Sequence, residues 1–129
     1  MTENPPPKPR ILVVDDEPAV RQSLRWQLEG AGYAVVEAPD GRGIVALVTR
    51  ERIALVVTDI LMPNREGMET IAELRRACPT VPIIAISARG QQYLDAACGL
   101  GACHAFAKPF ESAVFVQTVA QVLAGPQAA

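Results

Sequence analysis

The chain of 129 residues is long enough for one domain with a buried core and too short for two large ones. Half of its residues are hydrophobic and a fifth are charged, which is typical of a globular protein. The net charge of −2 does not favour a nucleic-acid or membrane surface. No run of about eighteen apolar residues is present, and the three cysteines form no C-x-x-C pair. We therefore expect a cytoplasmic protein.

Strands and helices are predicted to alternate from residue 10 to residue 124. Short apolar runs predict strands at 11–14, 33–36, 53–58, 82–86 and 103–107. Apolar residues at helical spacing predict a first helix that begins near Pro18 and ends near Gly30 or Gly32. Further helices are predicted at 41–50, 67–77, 91–99 and 111–124. This alternation predicts an α/β domain with a parallel sheet covered by helices on both faces.

The two ends of the chain differ in composition from the predicted domain. Residues 1–9 are polar and rich in proline, and we expect them to form a disordered tail. Residues 125–129 are expected to fray.

Polar side chains follow four of the five predicted strands. Asp15 and Asp16 come directly after the first strand, and Asp59 comes after the third. Ser87 follows the fourth strand, and Lys108 follows the fifth. Because ligands of open α/β sheets bind outside the carboxyl ends of the strands, we expect these side chains to share one site.

This combination of groups predicts a phosphoryl-transfer site. Like charges 4 Å apart repel by about 4 kcal/mol at an effective dielectric constant of 20, so three clustered carboxylates favour a bound divalent cation. An oxygen-rich set of ligands suits Mg²⁺ better than zinc. Asp59 would attack phosphorus, Ser87 would donate a hydrogen bond to a phosphoryl oxygen, and Lys108 would form an ion pair with another.

A purely structural interpretation of the same residues is also available. The two aspartates after the first strand could cap the first helix, and Asp59 could begin an Asx turn. Ser87 and Lys108 could be solvated loop residues. This interpretation requires four separate coincidences at one edge of the sheet, so we favour the site.

Four stretches closely resemble the receiver domain of two-component response regulators. They are ILVVDDEP at 11–18, LVVTDILMPNREG at 55–67, IIAISA at 83–88 and GACHAFAKPF at 101–110. The resemblance covers residues 10–124. It implies a five-stranded flavodoxin-like sheet in the order 2-1-3-4-5 with five helices. It also implies a phosphoryl donor, which would be a phosphohistidine on a sensor histidine kinase or a histidine phosphotransfer protein.

The resemblance assigns the phosphoacceptor and the metal ligands. Asp59 resembles the phosphoacceptor of the family and is also expected to contact Mg²⁺. Asp16 resembles a direct Mg²⁺ ligand, and Asp15 resembles one that acts through a bound water. The backbone carbonyl of Leu61 would complete the metal site.

The resemblance also assigns the phosphate-binding residues and reveals one departure. Ser87 occupies the position of the switch hydroxyl, Lys108 resembles the phosphate-binding lysine, and the Lys108–Pro109 bond is expected to be cis. Ala105 stands where the family usually has an aromatic switch residue. Phe106 should point to the opposite face of its strand and is predicted to belong to the core. The signal would then pass through backbone shifts around Ser87 and the fourth helix.

We expect the chain to act as a switch and not as an enzyme, apart from its own phosphorylation and dephosphorylation. Phosphorylation would favour another arrangement of the face formed by the fourth helix, fifth strand and fifth helix, which a downstream protein would bind. A phosphorylation-dependent homodimer stays open, as does the choice between a stand-alone receiver and part of a longer regulator. No direct contact with nucleic acid or membrane is expected.

Three alternative functions remain open at the level of sequence. An aspartyl-phosphate phosphatase would need a second acid two residues after its nucleophile, where this chain has Leu61. A flavodoxin-like cofactor binder would need a loop that accepts phosphate, whereas Asp15, Asp16 and Glu17 are acidic. A receiver that serves only as a scaffold would be consistent with Ala105.

Overall fold

The computed structural model of the protein describes residues 8–60, 67–88 and 91–125. Within these residues five strands alternate with five helices, as the hydrophobic pattern predicts. In chain order they are β1 (Arg10–Val14), α1 (Pro18–Gly30), β2 (Ala34–Ala38), α2 (Ile44–Arg50), β3 (Leu55–Asp59), α3 (Gly67–Ala77), β4 (Ile83–Ser87), α4 (Gln91–Leu100), β5 (His104–Ala107) and α5 (Ser112–Ala124).

The strands form one parallel sheet in the order β2-β1-β3-β4-β5, which confirms the expected topology. β1 lies between β2 and β3, and β3 pairs with β4 on its other side. At the carboxyl ends Val14 is opposite Thr58, Asp59 is opposite Ile86, and Ser87 is opposite Ala107. This register brings the predicted site residues to the same edge of the sheet.

Each face of the sheet has its own hydrophobic core, because successive side chains of a strand point to opposite faces. Leu12 and Val14 of β1 belong to the core that α2, α3 and α4 cover, whereas Ile11 and Val13 belong to the core that α1 and α5 cover. Strands buried on both faces explain the unbroken apolar runs in the sequence. None of the helices within the described ranges has the length and apolar character needed to cross a membrane.

The largest difference from the predicted boundaries is at the start of α2. The helix begins at Ile44, whereas the sequence pattern placed its start at residue 41. Gly43 precedes it with φ of 69°, a left-handed conformation that favours glycine, and the Arg42 amide donates to Asp40 Oδ1 at 2.9 Å. These local bonds replace the first turn of helix. The other boundaries agree with prediction to within two residues.

The outer face of α1 carries Trp26, a residue that is 66% exposed. The same helix is tied to β2 by two arginines. Arg21 Nε and Arg25 Nη1 donate to the Glu37 carboxylate at 3.1 and 2.7 Å. One carboxylate on β2 therefore fixes two successive turns of α1.

Candidate functional site

The predicted polar residues meet at the carboxyl edge of the sheet. Asp59 is the last residue of β3 and Ser87 is the last residue of β4. Asp15 directly follows β1, and Lys108 directly follows β5. Asp15, Asp59 and Ser87 are buried although they lie at strand ends. Buried polar groups require partners, so this edge is a built site and not a solvated rim.

Lys108 is at the centre of the site. Its Nζ donates to Asp15 Oδ2 and to Asp59 Oδ2, both at 3.0 Å, and lies 3.8 Å from a carboxylate oxygen of Glu17. The Asp15 side chain is fully buried, and those of Asp59 and Lys108 are only 7% and 16% exposed. Bonds between charged groups with so little solvent are stronger than ion pairs at a surface.

Burial and ion pairing shift the pKa values of Asp15 and Lys108 in opposite directions. Burial raises the pKa of Asp15, although the Glu17 amide and the Lys108 ammonium both act to lower it. Burial also acts to lower the pKa of Lys108, but its hydrogen bonds to Asp15 and Asp59 outweigh that effect and raise the pKa overall. Lys108 is therefore a permanent cation at neutral pH.

An oxygen-rich acidic group surrounds the lysine. Carboxylate oxygens of Asp15, Asp16, Glu17 and Asp59 all lie within 4.8 Å of one another, and two of these residues are exposed at the mouth of the site. One ammonium leaves most of their negative charge unbalanced. A hard cation that keeps several of its waters, such as Mg²⁺, fits this set of ligands. The Leu61 carbonyl, the fourth predicted contact, lies outside the described residues.

The loop that carries the two aspartates is held by hydrogen bonds to its main-chain groups. The Asp15 amide donates to the Ala38 carbonyl at 3.1 Å, and the Glu17 amide donates to Asp15 Oδ1 at 2.9 Å. Arg21 Nη1 donates to the Asp15 carbonyl at 2.6 Å. Glu17 is the N-cap residue of α1, so the aspartates do not cap that helix.

Two residues of this loop region were not assigned to the site from the sequence, although Glu17 was noted as part of an acidic loop. Glu17 lies within the acidic group, and Arg21 positions the loop. The helical pattern could have indicated Arg21, because it lies one turn after Glu17 on the same face of α1.

The backbone links Ser87 to Lys108. The Lys108 amide donates to the Ser87 carbonyl at 2.7 Å, and the Lys108–Pro109 peptide bond is cis. On the other side of β4, the Ile60 amide donates to the Ile86 carbonyl at 3.1 Å. The end of β4 is thus connected both to the lysine and to the residue that follows Asp59.

Ala105 and Phe106 lie on opposite faces of β5, as predicted. Ala105 is opposite Ala85 and packs against the core that α2, α3 and α4 cover. Phe106 packs in the other core against Phe110 and Phe115, with ring centroids 5.4 and 5.7 Å away. Phe106 is therefore a half-buried residue that packs against this core, and its ring lies on the wrong face to replace the missing aromatic.

The sequence matches a known family model and several curated proteins. The family model described as response regulator receiver domain matches residues 11–120. A response regulator MprA from Mycolicibacterium vanbaalenii is 45% identical over 80 residues, which is 62% of this chain and 35% of that protein. MprA from Mycobacterium leprae is 42% identical over the same length. The match thus spans about a third of the length of these curated relatives.

Solved structures give the same result for the fold. The chemotaxis response regulator CheY4 of Vibrio cholerae superposes with a TM-score of 0.80 at 27% identity, covering 89% of this chain and 98% of that one. The response regulator TrrA from Thermotoga maritima, solved in complex with Mg²⁺–BeF, has a TM-score of 0.80 at 30% identity and covers 88% and 98%.

Proposed function

The chain belongs to the response regulator receiver domain family of phosphorelay signal transduction, and we propose that Asp59 is the residue that accepts the phosphoryl group. The observation that carries this proposal is the pair of 3.0 Å hydrogen bonds from Lys108 Nζ to Asp59 and Asp15. They hold a carboxylate at the end of β3 beside a cation that can bind phosphoryl oxygens.

The transfer requires little covalent chemistry from the protein. An Asp59 oxygen forms a bond to phosphorus while the bond between phosphorus and a histidine imidazole of the donor breaks, and the imidazole keeps the electron pair and takes a proton. Lys108 then exchanges its bond to the Asp59 carboxylate for one to the phosphoryl group. The Ser87 hydroxyl donates to another phosphoryl oxygen.

The acidic group suits Mg²⁺, which would contact Asp16, Asp59 and the Leu61 carbonyl directly and Asp15 through a water. When bound, the ion supplies positive charge that offsets repulsion between the phosphoryl group and the carboxylates. The complex of TrrA with Mg²⁺–BeF supports this assignment.

The donor would be a phosphohistidine of a sensor kinase or of a phosphotransfer protein, and the setting would be the cytoplasm. Output would come from α4, β5 and α5, whose rearrangement would be recognised by a downstream protein or by a second copy of the chain. Because Ala105 carries no ring, the connection from the Ser87 carbonyl to the Lys108 amide is the route we favour for the signal. The chain would catalyse only its own phosphorylation and dephosphorylation.

The decisive experiment is incubation with acetyl phosphate and Mg²⁺ followed by intact-mass measurement. We expect one phosphate-sized adduct, its loss in Asp59→Ala, and its retention in Asp95→Asn, which changes an exposed acid on α4. An adduct that survives in Asp59→Ala would contradict the assignment of Asp59. A wild-type chain that forms no adduct would instead favour a scaffold role.

A further inference from the structure

A basic pocket lies at the amino edge of the sheet, opposite the acidic site. It has a volume of about 450 Å³ and is formed by the start of β1, the end of α2 and the connection from α2 to β3. Its lining residues are Lys8, Pro9, Arg10, Arg50, Arg52 and Ala54.

The charge of this pocket contrasts with that of the whole chain. Four of the 12 lysines and arginines line it, although the chain has a net charge of −2. Among the described residues, Glu51 is the acid that pairs with them, at 3.0 Å to Arg10 and 3.5 Å to Arg50. Lys8 and Arg52 form no ion pair with another described residue. Counted over the part of the chain that the structure describes, four cations and one carboxylate leave a net charge of +3 around this concavity, which favours an anion.

Sheet hydrogen bonds fix the backbone on one side of the pocket. The Ala54 amide donates to the Arg10 carbonyl at 2.8 Å, and the Ala34 amide donates to the Pro9 carbonyl at 2.9 Å. Arg52 has φ of 53°, the left-handed conformation that glycine or asparagine adopts more easily. An arginine therefore occupies a turn where a smaller residue would fit better, and its side chain lies at the pocket.

We propose that the basic pocket binds a small ligand with two or more phosphate groups, such as inorganic pyrophosphate or the phosphate tail of a nucleotide. Guanidinium groups pair with phosphate oxygens in a planar, two-bond geometry, and three arginines can serve more than one phosphate. The volume suits a small molecule, whereas an acidic protein partner would need a much broader interface. Because the lining contains no aromatic side chain, phosphate contacts and not base stacking would supply the affinity.

The test is calorimetric titration with inorganic pyrophosphate in EDTA at constant ionic strength. Without Mg²⁺ the acidic site repels anions, so pyrophosphate should not bind there and the titration should report the basic pocket. We expect saturable 1:1 binding that weakens about tenfold in Arg52→Gln, because one charge-assisted hydrogen bond is lost. The control Arg76→Gln makes the same charge change on the exposed face of α3 and should alter affinity less than about twofold.

Two further measurements locate the ligand and identify its source. Backbone amide shifts on titration should be concentrated at Arg10 and Ala54 and should leave Asp59 unchanged. ATP that binds at least as tightly as pyrophosphate identifies a nucleotide, and weaker binding identifies the inorganic ligand. The proposal is overturned by the absence of saturable binding, by equal losses in Arg52→Gln and Arg76→Gln, or by binding to anionic phospholipid vesicles alone.

Discussion

At the scale of single residues, Lys108 holds together an arrangement that would otherwise repel. Its ammonium lies 3.0 Å from oxygens of both Asp15 and Asp59 in a site with little solvent. The same two carboxylates belong to the acidic group that suits Mg²⁺. We therefore expect the ammonium and a bound Mg²⁺ to compete for the same negative charge.

This competition predicts that Lys108→Met binds Mg²⁺ more tightly than the wild-type chain while it loses phosphoryl transfer. An increase of about tenfold in Mg²⁺ affinity is expected from the removal of one close positive charge. Calorimetric titration with Mg²⁺ measures it, with Lys8→Met as the matched substitution at the opposite edge. Unchanged or weaker Mg²⁺ binding in Lys108→Met would show that the lysine does not compete.

Two neighbouring glycines allow a matched test of whether the backbone conformation at Gly101 requires glycine. Gly101 has φ of 131°, and a Cβ atom there would lie 2.8 Å from Arg75 Nε, whereas nothing lies within 4 Å of a Cβ atom at Gly99 inside α4. Gly101→Ala should lower the free energy of unfolding by about 1–3 kcal/mol. Gly99→Ala should raise it by about 0.5 kcal/mol. Urea unfolding followed by circular dichroism measures both, and changes of the same sign would contradict this account.

At the scale of elements, α1 is joined to β2 by the bonds of Arg21 and Arg25 to Glu37. The hydrogen bond from Arg25, with a smaller contribution from Arg21, holds the pKa of Glu37 below its usual range. Partial burial acts to raise this pKa but does not outweigh the two bonds. A carboxyl whose pKa is lower in the folded state stabilises the fold at high pH. That stabilisation is complete above the usual glutamate pKa of about 4.3 and is lost as the pH falls through the folded-state value.

Glu37→Gln should therefore reduce the free energy of unfolding at pH 7 by less than about 1 kcal/mol, because the pair is partly exposed. The difference from wild type should disappear in acid below the folded-state pKa. Urea unfolding at several pH values tests this, with Glu111→Gln as an exposed control. A difference that persists unchanged in acid would argue against the ion pairs as its cause.

The elements themselves were predicted well, because strands buried on both faces and amphipathic helices leave clear patterns. α2 was the exception, since the bond from Arg42 to Asp40 competes with helix and has no hydrophobic signature. The acidic site followed from the residues at the strand ends. The basic pocket did not, because Arg10 and Arg52 are far apart in sequence and meet only through the pairing of β1 with β3.

At the scale of the whole molecule, the two edges of the sheet carry opposite charge. Four carboxylates lie at the carboxyl edge, and four cations lie around the pocket at the amino edge. Because the carboxylates at one edge repel one another, we expect the stability of the folded state to depend on a cation that offsets this repulsion. If Mg²⁺ binds the folded chain but not the unfolded one, it stabilises the folded state by mass action.

We accordingly expect Mg²⁺ at about a hundred times its Kd to stabilise the fold by roughly 2.7 kcal/mol. The thermal midpoint followed by circular dichroism should rise with Mg²⁺ in wild type and in Asp95→Asn. It should rise far less in Asp16→Asn, which lacks the exposed carboxylate proposed to contact the ion. An equal rise in all three proteins would place the ion elsewhere.

The exposed Trp26 on α1 has a spectroscopic consequence. It is the one tryptophan of the chain, and the residue is two-thirds exposed to solvent in the folded protein. Its indole emission should therefore resemble that of a hydrated fluorophore before any denaturant is added, and unfolding should shift it little. A partner that covers the outer face of α1 should instead move the emission to shorter wavelength. Trp26 is thus an intrinsic fluorescence probe of contacts on α1, and its emission should change little when the hydrophobic core unfolds.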